Sequence, residues 1–217
     1  MRLLAVGDSF TYGEELADLS DAWPYLLSKQ LDYEVTNMGQ PGGGNTQMIR
    51  NVVENCRAYD LIIIAWSHYA RIEFADEYGV YDTWPGSRSK QLFTSNTNHR
   101  NELTEYITRY HCDKYLYKQY LLNIVLIQQY LKLNNKKYIM LDSVRNHQGE
   151  RQQSDTDISS AILTQIDTRY YLGWPNSPMV EWAWGTPKGP RGHFLEEGHQ
   201  RVAKKINEHI RNLGWVS

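Results

Sequence analysis

Apolar and polar positions along the 217-residue chain change period several times, and each change predicts an element. Leu3, Leu4, Ala5 and Val6 form an unbroken apolar run that reads as a buried strand, and Gly7-Asp8-Ser9 ends it in a tight turn. Residues 14–20 read as a polar connection. Trp23, Leu26, Leu27 and Leu31 then share a helical face, with Asp21 as the expected cap and Pro24 in the first turn. Tyr33 to Asn37 alternates as a short second strand, and Met48, Ile49, Val52, Val53 and Cys56 mark a second covering helix. Asp60 to Trp66 is the strongest strand signal, apolar on both faces and therefore central.

Downstream the pattern weakens and then resumes. Residues 75–100 hold Gly79, Pro85, Gly86 and a polar tract, which predicts a lid-like insertion with Tyr78, Tyr81, Trp84 and Phe93 as contacts. Leu116, Tyr120, Ile124, Ile127 and Leu131 recur at spacings of four, four, three and four, the signature of a long amphipathic helix. Tyr138 to Leu141 is a fourth strand, ending at Asp142 and Ser143. Asp157 to Ile166 reads as a short helix, and residues 173–192 as an ordered aromatic loop rich in glycine and proline. Val202, Ile206, Ile210 and Leu213 share a face of the last helix, with Gly214 as its stop. Strands alternating with helices of this length imply an α/β chain: a three-layer α/β/α sandwich on a central parallel sheet, in one domain spanning 1–217.

Composition narrows the partners. With 23 basic and 25 acidic residues the net charge is −2, which offers no field to attract nucleic acid or an anionic membrane. No apolar run approaches the roughly 18 residues that span a bilayer, and the first residues lack a secretion-signal pattern, so a cytoplasmic protein is expected. Cys56 and Cys112 have no metal-ligand neighbours and read as reduced thiols. No spacing among His99, His111, His147 and His209 argues for a metal, and no cofactor is expected. The 16 tyrosines and 7 tryptophans bias the surface toward ring-bearing ligands such as sugars.

The chemistry concentrates at predicted strand ends. Ser9 lies at the carboxyl end of the first strand, where open α/β sheets bind ligands, so its hydroxyl is a candidate nucleophile. A helix-capping role for Asp8 and Ser9 is the alternative. Gly42-Gly43-Gly44 before a helix frees backbone N–H groups to face an anion.

Gly7-Asp8-Ser9-Phe10-Thr11-Tyr12-Gly13 resembles the first motif of the GDSL-type esterases and lipases, the SGNH hydrolase superfamily, and that resemblance makes Ser9 the nucleophile. The glycine-rich stretch resembles the second block and puts Gly42 in the oxyanion hole, with Asn45 following it. The third block departs: where the family carries Gly-x-Asn-Asp, this chain has Trp66-Ser67-His68-Tyr69, leaving Ser67 or His68 as the substitute donor. Arg71 and Glu73 just beyond would orient a substrate or pair with each other. In the last block the spacing of six between His193 and His199 makes His193 the base and His199 a helix-start residue.

The acid expected three residues before His193 is replaced by Pro190. Glu196, Asp142 or Glu181 would have to supply it, or a backbone carbonyl would hold the ring, or a Ser-His dyad would act alone. The resemblance implies a flavodoxin-like fold and a serine esterase acting on a small-molecule or carbohydrate ester, and the chain looks most like divergent SGNH proteins of phages. A weakened, binding-only protein and an acyltransferase are the alternatives.

Overall fold

A computed structural model of the chain describes residues 1–76, 79–83, 105, 109, 112–147 and 156–216. Four parallel strands form the central sheet: β1 (Arg2–Gly7), β2 (Glu34–Gly39), β3 (Leu61–Trp66) and, after an antiparallel hairpin of β4 (Ile72–Asp76) and β5 (Gly79–Thr83), β6 (Lys137–Asp142). Their order is β2-β1-β3-β6, a doubly wound arrangement. Register is continuous: Ala5 stands opposite Asn37 on one side and Ile63 on the other, and Ile63 opposite Ile139. Hence Gly7, Gly39 and Trp66 end at one edge, and β1 is the strand where the winding reverses.

Alternation within each strand builds the three layers. Leu4, Val6, Ile62, Ile64 and Met140 pack with Met48 and Val52 of α3 (Asn45–Asn55) and with Tyr120, Leu121 and Ile124 of α4 (Asp113–Leu133). The intervening residues Leu3, Ala5, Leu61, Ile63 and Leu141 face the other way. They meet Trp23 and Leu27 of α2 (Trp23–Leu31) and Val202 and Ile206 of α7 (Glu196–Asn212). All six residues of β3 are buried, and each fully buried aliphatic side chain contributes about 1.5–3 kcal/mol. The expected α/β/α sandwich is therefore the observed architecture.

Several local expectations need correcting. Asp21 does not cap α2; it ends a 3₁₀ turn over Leu19–Asp21, and Ala22 occupies the cap position without a side-chain bond. The Trp23 N–H is instead donated to Nδ1 of His199 at 3.1 Å, so a buried imidazole from α7 satisfies the helix start. The second strand begins and ends later than its alternation suggested. α5 spans Thr156–Leu163, starting and ending earlier than the short helix expected from Asp157 to Ile166, and the aromatic loop contains the single turn α6 (Met179–Trp182). Of the expected lid over 75–100, only the backbone of the β4–β5 hairpin is described, Tyr81 included; Tyr78, Trp84 and Phe93 lie outside the described residues. Both cysteines are free thiols.

The turn after β1 is the part of the fold that positions chemistry. α1 (Ser9–Tyr12) is one turn long, capped by Asp8, whose carboxylate accepts the Phe10 N–H at 3.1 Å, and closed by Gly13 at φ 92°. It is seated against two glycines. A Cβ on Gly39 would lie 2.3 Å from the Tyr12 nitrogen, and one on Gly7 2.0 Å from Thr11 Oγ1. Asn37 fastens the seat by donating from Nδ2 to the Thr11 carbonyl at 2.9 Å. Gly39→Ala would force backbone against backbone, so it is expected to lower stability by about 1–3 kcal/mol in urea unfolding. An unchanged midpoint would show that the turn can shift without cost.

Candidate active site

Ser9 is the first residue of α1 and nearly buried, its side chain fixed by the tight seat beneath it. Its Oγ lies 2.8 Å from Nε2 of His193. That histidine comes from a turn 184 positions away, closed by Gly192 N–H to Gly189 O at 2.9 Å and Gly189 N–H to His193 O at 2.9 Å. The Phe10 ring packs on the imidazole, with centroids 4.9 Å apart, and stacks on Phe194 at 5.1 Å. The two residues singled out from sequence are thus within hydrogen-bond reach.

The partner on the other side of the ring is Glu15. Its Oε2 lies 2.8 Å from His193 Nδ1 and accepts the His193 backbone N–H at 3.1 Å, while Oε1 accepts the Arg191 N–H at 2.8 Å. A carboxylate only accepts, so Nδ1 carries the proton, and Nε2 is left to accept the hydroxyl hydrogen of Ser9. Partial desolvation pushes the Glu15 carboxyl up, but the two N–H groups and the imidazole outweigh it and hold its pKa below the ordinary value. Glu15 sits at φ 74°, a left-handed conformation costing a non-glycine residue about 1–3 kcal/mol, and such strain clusters where geometry serves chemistry. Glu14 adds to the clamp: its carboxylate pairs with Arg191 at 2.5 Å and lies 3.4 Å from His193 Nε2.

None of the three expected acids takes this place. Asp142 is buried at the end of β6 and accepts from Tyr120, from Tyr171 at 2.9 Å and from Asn146 at 2.7 Å. Glu181 pairs with Arg145, and Glu196 stands in the first turn of α7. Glu15 escaped sequence reading because residues 14–20 looked like a mere connection. Two signals could have found it. An acidic pair follows the Ser9 turn, and Gly189 stands next to the unexpected Pro190: a Cβ on Gly189 would come within 2.6 Å of the Glu15 carboxyl.

The remaining expected residues are distributed as follows. Gly42 is at the exposed crest of its loop, at φ 77°, whereas Gly44 is buried and opens α3. Asn45 is buried with both amide atoms spent on Ser67, accepting its N–H at 2.9 Å and donating to its carbonyl at 3.3 Å. Asn146 donates to the same carbonyl at 3.0 Å. The Ser67 hydroxyl stands beside the Asp8 carboxyl. Burial pushes the Asp8 pKa above its ordinary value, against the Arg71 charge, the Phe10 N–H and the Ser67 and Ser143 hydroxyls. Neither hydroxyl completes hydrogen-bond geometry with Oδ2, which has no partner among the described residues. His68 accepts the Ala70 N–H on Nδ1 at 3.2 Å and stacks on Tyr69. Arg71 and Glu73 do not pair: Glu73 takes both guanidinium nitrogens of Arg50, at 2.6 and 2.8 Å, and Arg71 donates to the Gly43 carbonyl at 2.8 Å. Among the described residues, no three of His, Cys, Asp and Glu gather as a metal-binding group, and no helix is long and apolar enough to cross a membrane.

His199, the competing histidine, packs edge-on to Phe194 and holds the α2 start. Burial, with the neighbouring His193 charge, lowers its pKa from 6.5 to about 3.

Residues 11–217 match the model described as "Family of unknown function (DUF6071)", the match beginning just after Ser9. No curated protein matches the chain. Among solved structures, the crystal structure of TesA superposes with a TM-score of 0.58 at 16% identity, over 98% of this chain and 99% of that one. A carbohydrate esterase family 2 enzyme with a carbohydrate-binding domain, from Corynascus thermopiles, gives 0.56 at 14% identity, over 99% and 67%. A G-D-S-L family protein from Desulfitobacterium hafniense DCB-2 gives 0.50 at 14%, over 96% and 98%. At these identities the likeness is one of fold, and the fold is that of the SGNH hydrolases.

A pH-stability prediction follows from His199. Between pH 6.5 and about 3 the unfolded chain binds a proton that the native imidazole refuses, so this contribution is complete above pH 6.5 and lost as pH falls toward 3. Urea unfolding across that window should show a steeper loss for wild type than for His199→Asn. Parallel curves would exclude a buried neutral imidazole.

Proposed function

The chain belongs to a family of unknown function, DUF6071, and from its site we propose that it is a serine esterase that hydrolyses a carboxylic ester, with a carbohydrate O-acetyl group as the favoured substrate. The observation that carries this reading is the unbroken relay from Ser9 Oγ through both nitrogens of His193 to Glu15, at the carboxyl edge of a parallel sheet. Ser9 Oγ attacks the ester carbonyl while Nε2 takes its proton, and the Glu15 carboxylate stabilises the imidazolium that forms. The proton then passes from Nε2 to the leaving alkoxide. Water cleaves the acyl-serine by the same route, with His193 again as base.

The oxyanion is assigned to backbone donors. The Ser9 N–H begins α1 and has no acceptor within it, and the buried Gly44 N–H at the start of α3 suits the second position better than the exposed Gly42. Such donors, fixed in advance, act without reorganisation as charge develops. The carbohydrate part of the reading is supported by the similarity to a carbohydrate esterase of family 2 from Corynascus thermopiles. A binding-only protein is the second reading, favoured by the third block. The Asn45 amide is committed to the Ser67 backbone, and the Ser67 hydroxyl is buried beside the Asp8 carboxyl, so neither is presented at the crevice.

Hydrolysis of p-nitrophenyl acetate and labelling by a fluorophosphonate separate the two readings. Wild type is expected to label at Ser9 and to turn over, and Ser9→Ala to fall to the uncatalysed background. Glu15→Gln keeps the shape but misplaces the proton on the ring, so kcat is expected to drop roughly a hundredfold to ten-thousandfold. Equal slow rates for wild type and Ser9→Ala, without labelling, would leave only the binding protein.

A further inference from the structure

A cavity of about 270 Å³ opens between the start of α3, the start of β4 with the residues leading into it, and the first half of α4. Asn45, Tyr69, Arg71, Glu73, Gln119 and Asn123 are among its walls. It adjoins the proposed oxyanion site directly. Asn45 follows Gly44 in the chain, and Arg71, which lines the cavity, donates to the Gly43 carbonyl at 2.8 Å.

The walls select for a particular chemistry. The carboxylate of Glu73 is neutralised by a two-pronged pair with Arg50, and the Arg71 charge is set against Asp8, so neither sign dominates. Gln119 and Asn123 stand one turn apart on the same face of α4, half-buried, and neither amide has a partner among the described residues. Each presents a donor and an acceptor, which suits neighbouring hydroxyl groups on one ring. A hydrocarbon chain would leave both amides unpaired. The Tyr69 ring adds a flat apolar wall. The volume is just below the range of drug-sized ligand sites, about 300 to 1,000 Å³, so one ring fits and a long acyl chain does not.

We propose that this cavity binds a single neutral, polyhydroxylated ring, the sugar that carries the ester, with Gln119 and Asn123 as specificity-determining residues. The inference rests on the esterase reading for its biological meaning, but binding can be measured without turnover. Saturation-transfer NMR of the full chain with methyl β-D-xylopyranoside and methyl α-D-mannopyranoside is expected to show a signal from at least one, lost in Gln119→Leu and in Asn123→Leu. A mono-O-acetylated methyl β-D-xylopyranoside, which keeps free ring hydroxyls, and p-nitrophenyl acetate give the second readout. The ratio of their kcat/KM values should fall about tenfold in either variant, the equivalent of one polar contact. Asn123→Ala, with folding checked by circular dichroism, guards against a variant that does not fold.

Absence of glycoside signal from the wild type, a signal indifferent to the variants, or an unchanged ratio would overturn the proposal. Variant-sensitive glycoside binding by a chain that neither labels with fluorophosphonate nor turns over would sustain the cavity and sink the esterase. Ester hydrolysis without glycoside binding would do the reverse.

Discussion

The Glu15 carboxylate is the point through which the two ends of the chain are tied. It gathers the N–H groups of Arg191 and His193 and faces the imidazole, so one side chain fixes both the path of the 189–193 turn and the orientation of the ring it carries. Three contacts on one carboxylate are charge-assisted and short, and stronger than neutral ones. They offset the left-handed backbone that Glu15 must adopt. Without that carboxylate, the loop would retain its apolar anchor at Phe194 but lose the contact that turns Nε2 toward Ser9.

Under this clamp lies a constraint of close approach. The single turn α1 can bring Ser9 over the sheet edge because Gly7 and Gly39 let it sink onto β1 and β2. The strand order makes β1 the switch point, so the loops after β1 and β2 diverge around a crevice at that edge. Glycine at these two positions is required by space, and glycine at 13 by a positive φ.

On the far side of the crevice the third block has become a brace. Asn45 and Asn146 together hold the Ser67 backbone, tying the start of α3 and the loop after β6 to the end of β3. In the buried Asp8 carboxyl below, desolvation, which favours the neutral form, outweighs the Arg71 charge, which opposes it. The polar groups at this edge thus stiffen the floor beneath the proposed oxyanion site, and the Arg71 contact with Gly43 extends that stiffness into the glycine loop.

Local pattern alone determined much of this protein. Unbroken apolar runs such as Leu61 to Trp66 can only be buried on both faces, and a spacing of three and four along Leu116 to Leu131 can only be one helical face, so the α/β/α layering was legible. Ser9 and His193 were legible as well, because each sits in a short contiguous motif. What tertiary structure alone decided were contacts between segments with no local signature. Glu15 meets a turn 178 residues away, the His199 imidazole replaces a local cap on α2, and Asn45 turns from the crevice to the end of β3. A side chain's partner across such distances depends on which strand ends the fold brings together and on how closely glycines let them approach, and neither is written in spacing along the chain.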